Sequence, residues 1–266
     1  MEYFKFIVYG LIQGLTEFIP VSSTAHLKVL SLFFEIDDPG ASLSAIIQLG
    51  SVFALAWYFK NDIFKLSTQL SKKKLYYLKD QKLLLSIFIG TIPIILFGGT
   101  IKLFFTYFFD KFLRSNLSIA LVSFLMAFLM YIADRSKKGS INLRNHNYSD
   151  SLLIGLSQAI AIFPGVSRSG VTISTALLSG WERGDALKFS FLLGMPAIFF
   201  AGIVELISSF NEFSQFSFLP LIVGLITTFL SSLFAIDILV NYFYSNGLKL
   251  FIIYRVVFGV VILLNL

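Results

Sequence analysis

The stretch Gly10-Leu11-Ile12-Gln13-Gly14-Leu15-Thr16-Glu17-Phe18-Ile19-Pro20-Val21-Ser22-Ser23-Thr24 returns in altered form as Gly155-Leu156-Ser157-Gln158-Ala159-Ile160-Ala161-Ile162-Phe163-Pro164-Gly165-Val166-Ser167-Arg168-Ser169. Gly10 matches Gly155, Gln13 matches Gln158, and Val21-Ser22 matches Val166-Ser167, with the prolines displaced by one place. Proline lacks a backbone N–H and its ring blocks helix continuation, so each copy reads as two short helices meeting at a turn. Most of the ionisable and hydroxyl residues set in apolar surroundings fall in these two stretches. The duplication therefore also marks where chemistry is expected.

Composition sets the solvent. The chain has 266 residues, 56% of them hydrophobic and 31 of them phenylalanine, with mean hydropathy +0.82. That excludes an ordinary soluble domain and indicates an all-α polytopic membrane protein. There are no cysteines, so disulfides and thiolate metal sites are excluded and chemistry is left to carboxylate, imidazole, hydroxyl and backbone groups. The net charge of +6 is carried largely in short loops between apolar runs, as topology determinants are, and no basic face with interleaved aromatics points to nucleic acid. Lys5 and the apolar residues after it resemble the start of a secretory signal, but Gln13, Thr16 and Glu17 interrupt the apolar region, and a cleavable signal is not expected.

Apolar runs near 42–59, 83–103, 115–133, 185–207, 217–240 and 248–265 are long enough for the hydrocarbon core, giving six spanning helices. Residues 4–34 and 151–180 are broken in the middle and each half is too short to span, so both are expected as re-entrant helical hairpins lining a polar cavity. One hairpin and three spans per half make an inverted-topology repeat, about 1–134 and 150–266, joined near 135–149 within a single membrane domain. Ala41 opposite Ala186 and Gly50 opposite Gly194 extend the register of the repeat. The lysines of the 60–82 segment, Lys60, Lys65, Lys72, Lys73, Lys74, Lys79 and Lys82, share a side with Arg135, Lys137, Lys138, Arg144, Arg183, Lys188 and Lys249, while Lys5, Lys102, Lys111 and Arg114 are left opposite. The positive-inside rule makes the first side cytoplasmic and puts both termini outside, with the hairpin tips meeting near mid-membrane.

Gln13 and Glu17 are one helical turn apart on the same face. Ser22 or Ser23 is placed to cap the helix after Pro20, and His26 lies within reach of either hydroxyl on that helix. A hydroxyl near an imidazole, with a carboxylate beside it, is the arrangement that activates an oxygen nucleophile. Each group alone has an ordinary structural use. Together in a membrane, where polar groups are costly, they indicate function. In the second copy Gly165 and Gly170 permit close backbone approach, Ser167, Ser169 and Thr172 supply hydroxyls, and Arg168 adds a forked cation at a helix start, a combination suited to phosphate. A magnesium or calcium ion held by Glu17 and phosphate oxygens, with Gln13 close by, would reconcile the carboxylate with that anion.

Gln13-Gly14-Leu15-Thr16-Glu17-Phe18-Ile19-Pro20-Val21-Ser22-Ser23-Thr24-Ala25-His26 and Pro164-Gly165-Val166-Ser167-Arg168-Ser169-Gly170-Val171-Thr172 closely resemble the two signature stretches of the bacterial undecaprenyl-pyrophosphate phosphatase family of the bacitracin-resistance type. The likeness extends to Gln48-Leu49-Gly50-Ser51, Phe189-Ser190-Phe191-Leu192-Leu193 and Tyr254-Arg255. It implies a multi-pass enzyme of the bacterial cytoplasmic membrane that hydrolyses undecaprenyl diphosphate to the monophosphate carrier of cell-wall synthesis, uses a divalent cation and opens to the outer face. Bacitracin would compete by binding that substrate, and a homodimer is compatible with the resemblance. By the same resemblance Ser23 is the nucleophile, His26 the catalytic histidine and Arg168 the phosphate-binding arginine, with Glu17 catalytic and metal-binding. Ser22, Thr24, Ser167, Ser169 and Thr172 complete the expected phosphate site. Gln13 stands where some members carry glutamate, and Ala25 where many carry glycine. A transporter or flippase of polyprenyl phosphate is the competing reading, since broken helices in inverted repeats also serve carriers. A carrier needs no nucleophile, so Ser23 with His26 favours the enzyme, and a non-catalytic scaffold leaves Glu17, His26 and Arg168 without a use. Arg255, inside the last apolar run, is expected either to brace the second hairpin or to help hold phosphate.

Overall fold

The computed structural model of the chain describes residues 2–34, 36–71, 78–105, 113–136, 139–208 and 218–266. Lys72, Lys73, Lys74, Lys111, Lys137 and Lys138, used above for orientation, lie outside the described residues. The regular structure among the described residues is helical, apart from an isolated bridge between Ile141 and Trp181. In chain order the helices are α1 (Glu2–Glu17), α2 (Ser23–Phe33), α3 (Gly40–Ile47), α4 (Leu49–Tyr58), α5 (Lys60–Ser71) and α6 (Leu78–Phe104), followed by α7 (Asn116–Asp134), α8 (Tyr148–Ile160), α9 (Arg168–Leu178), α10 (Arg183–Ser208), α11 (Phe218–Asn246) and α12 (Lys249–Leu264).

Four stretches, Gln81–Ile101, Asn116–Asp134, Arg183–Ser208 and Phe218–Asn246, are long and apolar enough to cross a membrane. Leu96, Leu125 and Phe234 on them are more than half exposed, and large aliphatic and aromatic faces of that kind are stable against lipid rather than water. The stretch expected as one span at 42–59 is an apolar helical run over Ser42–Tyr58, shorter than the four, made of the abutting helices α3 and α4. At Gln48 the turn tightens, Ser51 N–H reaching back only three residues to Gln48 O at 2.9 Å, while the Gln48 amide is turned onto Glu17. The stretch expected at 248–265 is the 16-residue helix α12, about 24 Å long at 1.5 Å per residue and shorter than the hydrocarbon core.

Both proline-broken stretches form paired short helices, α1 with α2 and α8 with α9, as the breaks predict. The first helix of each pair packs on a long helix from the other half of the chain, α1 on α11 and α8 on α6. Small residues permit the contact. A Cβ added at Gly10 would lie 2.6 Å from Gly224 O on α11, and one at Gly155 would collide with the backbone of Gly90 on α6. Thus the matched glycines of the repeat do the same work at two interfaces, and the halves are interlocked rather than set side by side.

The main apolar core joins Phe18 and Val21 of the first tip to Ile173 of α9 and to Phe191 and Leu193 of α10. The Phe18 and Phe191 rings meet edge to face, 5.2 Å between centroids at 68°, so the residue after Glu17 is fixed against α10 by packing alone. At another corner Asp38 accepts from Arg114 at 2.9 Å and pairs with Lys28 at 3.1 Å, tying α2 to the entry of α7. Burial would raise the Asp38 carboxyl, but Arg114, the Gly40 N–H and Lys28 outweigh it and hold the carboxyl below its ordinary value.

Candidate active site

Glu17, the last residue of α1, is the hub of the site. It is buried, and its two oxygens are fully engaged. Oε2 accepts from Gln13 Nε2 and from Ser23 Oγ, each at 2.7 Å, and Oε1 accepts from Gln48 Nε2 at 2.7 Å and from Arg168 Nη2 at 3.2 Å. One carboxylate therefore joins α1, the start of α2, the α3–α4 junction and the start of α9. Four donors saturate its lone pairs, as burial of an ionised carboxylate requires.

The two tips are built alike. Ser22 and Ser167 are the non-glycine residues with positive φ among the described residues, at 75° and 70°. Each caps the following helix: Ser22 Oγ accepts from Ala25 N at 3.4 Å and Ser167 Oγ from Gly170 N at 3.2 Å. Each also lies 3.3 Å from the hydroxyl two residues on, Thr24 in one tip and Ser169 in the other. The first amides of α2 and α9, which have no carbonyl within their own helices to bond, are thereby presented beside hydroxyls, an anion-binding arrangement made twice.

Arg168 is wedged against α10, where a Cβ added to Gly194 would run into its guanidinium. Nη1 reaches Ser190 O at 3.5 Å, and Nε is buried with no partner. Thr172 is not turned toward the Glu17 hub. Its hydroxyl donates to Arg168 O at 2.8 Å and lies 2.6 Å from Ser190 Oγ, and it exposes no surface, nor does Ser169. These two support the tip from behind, whereas Ser22, Ser23 and Ser167 keep a small exposed surface and Thr24 is exposed.

His26 differs from the sequence expectation. Its ring reaches neither serine hydroxyl; Nδ1 lies 2.7 Å from the Ser22 backbone O and Nε2 lies 2.6 Å from Tyr254 Oη. Side chains on a helix lean toward its N-terminus, which carries the ring over the carbonyl one turn back, while Ser23 is drawn away to Glu17. A carbonyl only accepts, so Nδ1 carries the proton and Nε2 accepts from tyrosine. Phe258 stacks on the imidazole at 4.3 Å and 9°.

Arg255 is fully buried and braces rather than faces the site. It donates from Nη1 to Pro20 O at 3.1 Å and from Nη2 to Gly165 O, one carbonyl in each tip. Gln48, Gly194, Ser190 and Tyr254 were not assigned from sequence, although Gln48, Ser190 and Tyr254 stand in the further stretches of family likeness. A polar residue inside an apolar run was the available signal for Gln48, and the alignment of Gly194 with Gly50 was the signal for Gly194.

Among the described residues no three of His, Asp and Glu come together. A divalent cation would find here one carboxylate, Glu17, and the amide oxygens of Gln13 and Gln48. That donor set suits a hard cation only if phosphate oxygens complete its shell, and Arg168 would have to leave Glu17 Oε1 for phosphate.

A family model described as Bacitracin resistance protein BacA matches residues 6–261. An undecaprenyl-diphosphatase of Prochlorococcus marinus strain MIT 9312 is 80% identical over 265 residues, covering 100% of this chain and 99% of its own length. Another, from strain MIT 9301, is 75% identical over 266 residues with both chains fully covered. An undecaprenyl-diphosphatase of Synechococcus sp. strain RCC307 is 43% identical over 260 residues, covering 97% of this chain and 91% of its own.

Proposed function

The chain belongs to the bacitracin resistance protein BacA family, and from that membership and the carboxylate shared by its two tips we propose that it hydrolyses undecaprenyl diphosphate to undecaprenyl phosphate and inorganic phosphate. The observation that carries the chemistry is Glu17, bonded at once to a candidate nucleophile, Ser23, and to a phosphate-matched cation, Arg168. The relatives' shared name, undecaprenyl-diphosphatase, supports the substrate.

In this reading the diphosphate lies between the starts of α2 and α9. Arg168 exchanges Glu17 for phosphate, and the helix-start amides with Ser22, Thr24 and Ser167 hold the remaining oxygens. Ser23 Oγ attacks the terminal phosphorus and passes its proton to Glu17. The bond from that phosphorus to the bridging oxygen breaks, and undecaprenyl phosphate leaves. Water then cleaves the seryl phosphate, or attacks in place of Ser23 from the start. His26 orients the Ser22-Ser23 turn. A Mg2+ or Ca2+ ion held by Glu17, Gln13 and phosphate oxygens supplies charge neutralisation when bound. Positioning and neutralisation provide most of the acceleration, as in other phosphoryl transfers.

Within a bacterial cytoplasmic membrane, α3 with α4 and α12 join the four long helices as six crossings, and the paired short helices enter as re-entrant hairpins from opposite faces in an inverted repeat. The site opens outward, where the lipid carrier of cell-wall synthesis is recycled and where bacitracin would compete for the diphosphate. A homodimer is compatible with this arrangement.

The test is phosphate release by purified protein given undecaprenyl or farnesyl diphosphate, with and without chelator. Release that stops with chelator supports the reading. Intact lipid that nevertheless crosses vesicles would replace it with a carrier. Full turnover by Ser23→Ala would assign the attack to water.

A further inference from the structure

Adjacent residues of α12 hold the first tip by two separate routes. Arg255 bonds Pro20 O directly and also holds Gly165 O of the second tip. Tyr254 bonds His26 Nε2, and the other nitrogen of that ring bonds Ser22 O. The carbonyls gripped are those of Pro20 and Ser22, just before Ser23, and of Gly165, just before Val166 and the strained cap Ser167. Arg255 is in turn fixed to α7, its Nε 3.5 Å from Ser123 O and its own carbonyl accepting from Ser123 Oγ at 3.0 Å. Phe258, one turn further along α12, completes the hold by stacking on the imidazole.

We propose that Tyr254 and Arg255 are positioning residues for the phosphatase reaction, a clamp from the last helix that sets the two tips at the spacing at which Ser23 and Arg168 both reach Glu17. The proposal rests on the phosphatase reading above. Its physical basis is that the Pro20 and Gly165 carbonyls lie in the turns before the helices, where the guanidinium that reaches them decides where the turns sit, while the Ser22 carbonyl, which already accepts from His26 N, takes the imidazole as a second donor. A guanidinium can serve several carbonyls in different directions at once, and an ammonium on a flexible stem cannot do so with the same geometry. The tyrosine leaves the imidazole in one tautomer with its Nδ1 proton on Ser22 O.

The experiment uses the full-length protein in detergent with farnesyl diphosphate. Tyr254→Phe should lower kcat about tenfold with KM within about twofold, the equivalent of one lost hydrogen bond at the transition state. Arg255→Lys should lower kcat by about a hundredfold, the scale of a small misplacement of reacting groups. In a His146→Gln background a single histidine remains, and the nitrogen-15 spectrum of His26 should show an Nδ1-protonated ring whose unprotonated Nε2 signal shifts on Tyr254→Phe, because the phenol proton it accepts is lost. An unchanged kcat, a rise in KM alone, or an unchanged imidazole spectrum in Tyr254→Phe would overturn the clamp. Were Arg255→Lys unable to fold, Tyr254→Phe would decide by itself. Wild-type protein that released no phosphate would overturn the phosphatase reading, and the imidazole spectrum would still report on the clamp.

Discussion

Ser22 and Ser167 share one backbone conformation, φ 75° and ψ 98° against φ 70° and ψ 112°, at matched positions of the internal repeat. Side chains avoid this region because Cβ crowds the backbone, at a cost of about 1–3 kcal/mol per residue. Glycine would adopt it freely. Serine stands there twice because its hydroxyl caps the next helix and its carbonyl accepts from the residue four further on, His26 or Val171.

The first prediction follows from that balance. Ser22→Ala and Ser167→Ala keep the strain and lose the cap, whereas Ser22→Gly and Ser167→Gly lose the cap and relieve the strain. The glycine variants should be the more stable by about 1 kcal/mol at each site. Thermal melting of all four in one detergent compares them, and alanine variants equal to or above the glycine ones would show the turns to be unstrained.

Gly194→Ala should disable the site without touching the hub itself. The added methyl meets the Arg168 guanidinium, which must move off Glu17. We expect turnover to fall by about a hundredfold while the helices survive, judged by phosphate release against circular dichroism. Wild-type turnover would mean that Arg168 has another resting place.

Glu17→Gln should abolish turnover, since an amide neither takes the Ser23 proton nor balances Arg168. Gln13→Glu adds a second carboxylate one turn away and should strengthen dependence on divalent cation, seen as a lower metal concentration for half-maximal phosphate release. Turnover by Glu17→Gln in chelator-treated protein would remove both the base and the metal role.

His146, in the segment between α7 and α8, gives a pH dependence. Burial pushes its imidazole below the ordinary value and Lys82 adds to this, against the opposing pull of the nearby Asn142 and Leu143 backbone and of the Asp150 charge. The unfolded chain therefore takes up the proton first. The contribution to stability is complete above about pH 6.5 and is lost as pH falls from there toward the folded value. Melting temperature should drop over that window, and His146→Gln, which loses the Nε2 contact to Ser86 Oγ, should be less stable at neutral pH but flat across it. An equally steep fall in His146→Gln would place the titrating group elsewhere.

Orientation can be read with introduced cysteines, since the chain has none. A cysteine at Asn145 should resist an impermeant thiol reagent in intact cells, and one at Asp37 should react. The reverse pattern would overturn the proposed outward opening of the site.

The sequence by itself determined the solvent, the helical class, the two broken stretches and the identity of Glu17, Ser23 and Arg168 as residues that need partners. Apolar run length and proline breaks are local properties, and a costly polar group in an apolar segment is visible without coordinates. Gly10 and Gly155 were legible as a pair but not as interface residues, because which helix each meets depends on how the two halves interlock. The partners were decided by tertiary structure. His26 stood near enough to Ser23 in sequence to suggest a dyad, yet the lean of a helical side chain took it to Ser22 O, and Tyr254 in the last helix took its other nitrogen. Ser23 went to Glu17, and Gln48 joined there from a stretch read as an uninterrupted span. Arg255 proved to hold one carbonyl in each tip. Hydrogen bonds between residues far apart in the chain depend on direction and distance in space, and only the packing of helices from both halves of the chain supplies those.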